Sequence, residues 1–289
     1  MTTPHLSIVI PAFNEAENVG PLVDEIRAAF ADVDRVIEIV FVDDGSTDDT
    51  VARLTALMED VPELRVVCLA PTGRGHGNGQ SCAMRAGFHA ARGAYVAGLD
   101  ADRQNDPADL PDMLLLIEEQ GVDLVQGDRS ANRRDTLVKR VSSRIGRAAR
   151  RLLLKDAVTD TGCSLRVMRA EVAQSIPLEY HGVHRFIPFL AGSLGYTVIE
   201  TPVRHRERAA GETKYGIGNR ALPGLIDCFA MRWIVNRRRT ATISEVRRDT
   251  SVEDVMIGAE TEATSDAPMV EVVVPARAGD RAAMTDSPS

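Results

Sequence analysis

Apolar residues in the first half of the chain come in short runs, and each run ends in polar residues. Leu6 to Ile10 reads as a short buried strand stopped by Pro11. From Glu15 to Phe30, Val19, Leu22, Val23, Ile26, Ala29 and Phe30 recur on one helical face. Ile37 to Val42 is a second buried strand, ending in Asp43-Asp44-Gly45-Ser46, and Thr47 to Met58 follows as a helix capped by Ser46 or Thr47. Leu64–Leu69, Ala94–Leu99 and Val122–Gly127 complete five strands, separated by helices at about Gln80–Ala91 and Leu110–Glu119. Strands alternating with helices predict an α/β fold, a mostly parallel sheet with helices on both faces.

The second half is less regular. Thr136 to Leu154 reads as a basic helix carrying Arg140 and Arg144, and Val158 to Arg169 as a segment holding a strand. His181–Leu194 is expected to be helical, Thr197–Arg206 extended and Ala209–Asn219 a polar loop. Gly218 to Arg239 is an apolar, partly amphipathic helix ending in three arginines. Beyond it the sequence has the composition of a disordered tail, with a short strand at Met269–Val274.

In parallel sheets ligands bind at the carboxyl ends of strands. Three polar clusters fall there: Pro11–Glu15, Asp43–Asp48 and Asp100–Gln104. Asp100 and Asp102, one residue apart after a strand, can turn toward one point, and Gln104 can add a third oxygen. Such hard ligands suit Mg²⁺ or Mn²⁺ holding a diphosphate. A solvated acidic turn is the competing reading, and the place after an apolar strand weighs against it. Asp43 and Asp44 can accept hydrogen bonds from a ribose or base, or form an Asx turn capping the next helix. Asn14 and Glu15 sit in a similar loop, where Glu15 either accepts from the nucleotide or favours the helix N-terminus. The Gly73–Gly79 loop lacks the Lys-Ser/Thr ending of a P-loop, and His76 reads as exposed.

Composition narrows the choice. The 289 residues carry a net charge of −8, and the segment after Arg239 holds about ten acidic residues against four basic ones. The body is thus near neutral, which argues against nucleic acid as a partner. Cys68, Cys82, Cys163 and Cys228 show no ligand spacing and read as reduced, mostly buried side chains. No signal peptide is legible, and no apolar run reaches the ~18 residues that span a bilayer. A cytoplasmic protein, or one peripheral on the cytoplasmic face of a membrane, is expected. Trp233 with Arg232 and Arg237–Arg239 suits a helix lying in a membrane interface; packing on the sheet or in a homodimer contact is the alternative.

With these residues in view, the chain resembles the family-2 glycosyltransferases of the GT-A fold, over roughly residues 5 to 239. Within them it looks like the dolichyl-phosphate mannosyltransferase type, which glycosylates polyprenyl phosphates. Ile8–Glu15 matches the opening strand and P-x-x-N-E, Val42–Asp48 matches V-D-D-G-S-x-D, and Gly79-Gln80 matches the pair opening the third helix. Leu99–Pro107 matches D-A-D-L-Q-x-x-P, with Arg103 in place of the usual Leu. Gly127-Asp128-Arg129 resembles G-x-R, Asp160–Cys163 occupies the acceptor-side loop, and Arg208–Tyr215 resembles R-x-x-G-x-S-K-Y, with Thr213 for Ser.

The resemblance implies an inverting transfer from a nucleotide-diphosphate sugar, UDP- or GDP-linked. Asp100, Asp102 and Gln104 would hold the metal, with Asp102 central to catalysis. Pro11, Asn14, Glu15, Asp43, Asp44, Gln80 and Asp100 would line the donor site. Arg129, Arg208 and Lys214 would meet phosphates, joined by Arg140 and Arg144 from the basic helix. The expected organisation is a GT-A domain over 1–216, with a donor half to about 127 and an acceptor half after it. An amphipathic helix over 217–239 and an acidic tail over 240–289 follow. A phosphate acceptor needs positioning rather than a base, whereas a soluble hydroxyl acceptor would need one, with Asp160 the best choice. A nucleotidyltransferase is disfavoured by the absence of a Gly-rich phosphate loop after the first strand. A non-catalytic nucleotide-sugar binder is disfavoured by the intact Asp100 and Asp102.

Overall fold

The computed structural model describes residues 3–72, 76–130, 150–156, 158–206 and 221–238. Arg140, Arg144, Arg208, Lys214 and the predicted tail over 240–289 lie outside the described residues, as do most of the predicted basic helix and the Ala209–Asn219 loop.

Seven strands form one sheet in the order β3-β2-β1-β4-β6-β5-β7. They are β1 (Leu6–Ala12), β2 (Ile37–Asp43), β3 (Leu64–Cys68), β4 (Tyr95–Gly98), β5 (Leu124–Asp128), β6 (Arg166–Arg169) and β7 (Val198–Pro202). β1 pairs in parallel with β2 and β4, β2 with β3, and β5 with β7. Only β6 runs the other way, between β4 and β5. Because β6 is reversed, the segment leading into it, 158–165, lies on the same edge as the carboxyl ends of the other strands. The first five strands, all running in one direction, were legible in the sequence. The reversal was not, since a short apolar strand carries no mark of its direction.

Side chains alternate across the sheet, as strand geometry requires. Ile8 and Ile10 of β1 face a core shared with α1 (Val19–Ala29), α2 (Thr50–Asp60) and α4 (Leu110–Gln120). Val9, between them, faces a second core with α3 (Gln80–Ala90), α6 (Ala170–Ser175), α7 (Ile187–Ser193) and α8 (Ala221–Arg237). The described turns at 150–154 form α5, whose Leu154 joins the same core. Val19, Leu22, Val23 and Ile26 of α1 are fully buried, each such side chain contributing about 2 kcal/mol.

Three expectations need correction. α1 starts at Val19 and α2 at Thr50, later than the apolar pattern suggested, because the loops before them carry side-chain hydrogen bonds. Neither Ser46 nor Thr47 caps α2: Asp48 Oδ1 accepts from Thr50 N at 3.0 Å instead. Cys68 and Cys82 are exposed, while Cys163 and Cys228 are buried, and all four are free thiols. Cys68 closes the edge strand β3, which has a neighbouring strand, β2, on one side only.

Candidate active site

The loops after β1 and β2 are stitched together. Asn14 N donates to Ser46 Oγ at 2.9 Å, Thr47 N to Asn14 Oδ1 at 2.7 Å, and Glu15 N to Thr50 Oγ1 at 2.9 Å. Asn14 holds a left-handed backbone, φ 56°, a conformation that Asn tolerates better than most residues. Asp43, buried at the end of β2, accepts from Gly45 N at 3.1 Å and Ser46 N at 3.2 Å, the Asx-turn arrangement. Asp44 reaches the start of α3, accepting from Asn78 N at 2.7 Å and Gly79 N at 2.8 Å. Residue 77 must be glycine for that grip, since a Cβ there would stand 2.3 Å from Asp44 Oδ2. Glu15 Oε2 accepts from Asn18 Nδ2 at 2.6 Å. Pro11 sits in register with Val42, one residue before Asp43.

This fastening of the α3 entrance sets the next residue. Gln80 Nε2 donates to Asp100 Oδ1 at 2.7 Å. Asp100 follows β4 directly, with Leu99 N bonded to Val9 O at 3.1 Å. Burial and the charge of Asp102 push the Asp100 carboxyl above its ordinary range, against the pull of a Ser164 hydrogen bond and of the Arg129 and Arg166 charges. Two crowded carboxylates of this kind are what a hard divalent cation relieves. Among the described residues no group of three His, Cys, Asp or Glu side chains converges on a metal position. The further ligands of a Mg²⁺ or Mn²⁺ ion on Asp100 and Asp102 would then be diphosphate oxygens and water, with Gln104 close by. Gln104 N donates to Asp102 Oδ1 at 3.2 Å, and its carbonyl accepts from Arg206 N at 2.8 Å.

Arg103, where the family carries Leu, takes a left-handed backbone, φ 58°, and turns away from the carboxylates to pair with Glu25 of α1. Arg206 binds the same Glu25 at 2.9 Å and Asp106 at 2.7 Å. The chain leaving β7 is thereby tied beside the Asp100–Gln104 loop, through an Asn105–His205 bridge.

After β5, Arg129 and Asp160 face each other. Arg129 Nε and Nη2 meet Asp160 Oδ2 and Oδ1 at 2.8 and 3.2 Å, and Arg129 N adds a third bond at 3.2 Å. Both side chains are nearly fully buried, 8% and 7% exposed. Although burial disfavours the charged guanidinium, the Asp160 contact raises the Arg129 pKa further. The proposed phosphate holder and the proposed base are therefore each other's partner in this structure.

Several residues of this site were missed in the sequence. Gln126 Nε2 donates to Cys163 O at 2.9 Å, and Glu200 accepts from Thr159 N at 2.8 Å and Asp160 N at 3.2 Å. Together they shape the Asp160 loop from below. Arg166, buried in β6, donates to Cys163 O at 2.6 Å and His184 O at 3.2 Å, and burial pulls its pKa down to about 10. Gln126, Arg166 and Glu200 are polar residues buried in the strands beside apolar neighbours, which was the available signal.

The comparisons with known proteins agree with this geometry. Residues 7–176 match the family model described as glycosyl transferase family 2. A dodecaprenyl-phosphate galacturonate synthase of Rhizobium johnstonii is 36% identical over 234 residues, 80% of this chain and 67% of that protein. An undecaprenyl-phosphate 4-deoxy-4-formamido-L-arabinose transferase of Yersinia pestis is 35% identical over 212 residues, 73% of this chain but 63% of its own length. The chain thus spans about two thirds of the length of these relatives. Among solved structures, a glucosyl-3-phosphoglycerate synthase of Mycobacterium tuberculosis, crystallised with Mn²⁺, UDP and glucosyl-3-phosphoglycerate, superposes with a TM-score of 0.58 at 23% identity, covering 78% of this chain and 80% of that one. That likeness establishes the GT-A-like fold. The strand-end carboxylates, the mixed seven-stranded sheet and the match over 7–176 make one conclusion: this chain belongs to glycosyl transferase family 2.

Proposed function

We propose that the protein transfers a sugar from a nucleotide-diphosphate sugar to a polyprenyl phosphate, with inversion and with Mg²⁺ or Mn²⁺. The observation that carries this reading is the meeting of Asp100, held by Gln80, with Asp102 at the carboxyl edge of the sheet, beside the loop after β2. Asp100 and Asp102 would hold the ion, which when bound offsets negative charge on a departing diphosphate. Gln80 orients Asp100, and the Asp43–Thr50 loop, pinned by Asn14, shapes the nucleotide side.

The acceptor assignment draws on the relatives, both named for polyprenyl phosphates, and on Asp160. A hydroxyl acceptor needs a base, yet both Asp160 oxygens are taken by Arg129. A carboxylate so held is a poor proton acceptor. A phosphate acceptor, already ionised near neutral pH, needs only placement. Among the described residues no helix is long and apolar enough to cross a membrane. α8 nevertheless exposes Ile226, Phe229 and Trp233 on one side, with Arg237 over the Trp233 ring at 4.9 Å. These features support a peripheral contact with the membrane that holds the lipid.

The test is transfer of labelled sugar from UDP- and GDP-sugars by the full chain, with Mg²⁺ or Mn²⁺, in the presence and absence of undecaprenyl phosphate. A lipid-linked product is expected, lowered at least about 100-fold in Asp102→Asn. Efficient transfer to a soluble hydroxyl compound without lipid would overturn the acceptor assignment.

A further inference from the structure

A cleft of about 130 Å³ lies between the turn at Val183–Phe186 and α8. Its walls are mostly apolar: Val183 and Phe186 from the turn, Ala230, Met231 and Ile234 from the helix. We propose that this cleft seats an isoprene unit of the acceptor, close to its phosphate, an assignment that rests on the polyprenyl-phosphate reading above.

Size and lining fit the occupant. An apolar cavity of about 150 Å³ accepts benzene, and a five-carbon isoprene unit is of similar bulk. The one carboxylate on the wall, Asp227, is matched by Arg185 at 2.9 Å, so no lone charge opposes a hydrocarbon.

Position fits as well. His181, on the cleft wall, abuts Gly79, where a Cβ would stand 3.3 Å from its Cδ2, and Gly79 precedes the glutamine that holds Asp100. The turn itself is bolted to the site. His184 N donates to Ser81 Oγ at 3.2 Å, Ser81 Oγ lies 2.9 Å from His184 Nδ1, and Arg166 donates to His184 O at 3.2 Å. Burial pulls the His184 pKa to about 3, so the imidazole stays neutral in this linkage. On its outer side α8 presents Ile226, Phe229 and Trp233, an apolar continuation along which the remaining prenyl chain can run. One wall of the cleft, His181, thus adjoins the glycine before Gln80, and its other wall is α8, the helix that carries the exposed apolar side chains.

The test uses farnesyl phosphate and inorganic phosphate as probes, with binding to the full chain measured by calorimetry. Ala230 is exposed, so Ala230→Trp fills the cleft without entering the core. Farnesyl phosphate is expected to bind at least about tenfold more weakly to this variant, with a much smaller change for inorganic phosphate. Nucleoside diphosphate affinity and the thermal midpoint report folding, and Ala230→Leu serves as the gentler wedge if the Trp variant melts early. An unchanged farnesyl phosphate affinity, or a loss that parallels inorganic phosphate, would overturn the proposal. Unchanged affinity with a dimer becoming a monomer would assign the cleft to a second copy of the chain and overturn it equally. If the wild-type chain binds neither farnesyl nor undecaprenyl phosphate, the acceptor reading itself falls; a wild-type chain that binds both while the variants match it removes the cleft alone.

Discussion

Asp160→Ala removes one half of a buried pair and leaves Arg129 buried and charged without its bidentate partner. The pair is 8% and 7% exposed and bidentate, at 2.8 and 3.2 Å. Removing one partner from such a pair costs about 3–5 kcal/mol, because the remaining charge has lost its counter-ion and cannot reach water. Asp100 lies near enough to favour the Arg129 charge, but only weakly compared with Asp160. In a chain of this size that cost lowers the melting temperature by roughly 10 °C. Replacing both residues by apolar ones, Arg129→Met with Asp160→Leu, removes the stranded charge and recovers most of the loss. Urea unfolding of the wild type, Arg129→Met, Asp160→Leu and the double variant closes a cycle, with an expected coupling of at least about 2 kcal/mol. A cost under about 1 kcal/mol for Asp160→Ala, with no coupling, is the behaviour of an exposed pair and would refute the reasoning.

Two further outcomes are expected. Glu38 is buried among Ser7 Oγ, Arg65 Nη1 and Arg92 N, at 2.6, 2.7 and 2.7 Å. Burial alone would raise its pKa, but these contacts outweigh it and hold it below 4.5. The folded state thus releases this proton more readily than the unfolded one. Its stabilisation is present above the unfolded pKa and is lost as pH falls through the folded value. Glu38→Gln should flatten the decline of the urea midpoint between about pH 6 and pH 3, and an unaltered slope would remove Glu38 from the account. At the membrane, Arg237→Ala with Arg238→Ala should weaken binding to anionic vesicles by about 2 kcal/mol, roughly thirtyfold; co-sedimentation equal to wild type would rule out the α8 contact.

The first half of the chain was legible because its signals are local. A run such as Leu6–Ile10 followed by Pro11, or Ile37–Val42 followed by paired aspartates, states both the strand and the place where it ends. Parallel strands then carry those ends to one edge, which is where the structure has Asp43 and Asp100. Gln80 was found through its motif, and the structure adds what it does, a bond to Asp100. Arg166, Gln126 and Glu200 escaped notice because their partners are backbone groups, which no residue pattern marks, and Gln126 and Glu200 reach the 159–163 loop across more than thirty positions. A lone polar residue in a strand does not reveal which loop it serves.

Apolar periodicity and strand-end polar clusters therefore determined, by themselves, the α/β architecture and the acidic edge of the sheet, since both follow from the spacing of neighbouring residues. Only the tertiary structure decided that β6 runs antiparallel, that Arg103 pairs with Glu25, and that Arg129 and Asp160 hold each other. The direction of β6 follows from how the chain crosses between distant segments, and the two pairings depend on which charges come within a few ångströms away from water. Coulombic attraction there depends on distance and burial, neither of which is written in the order of residues.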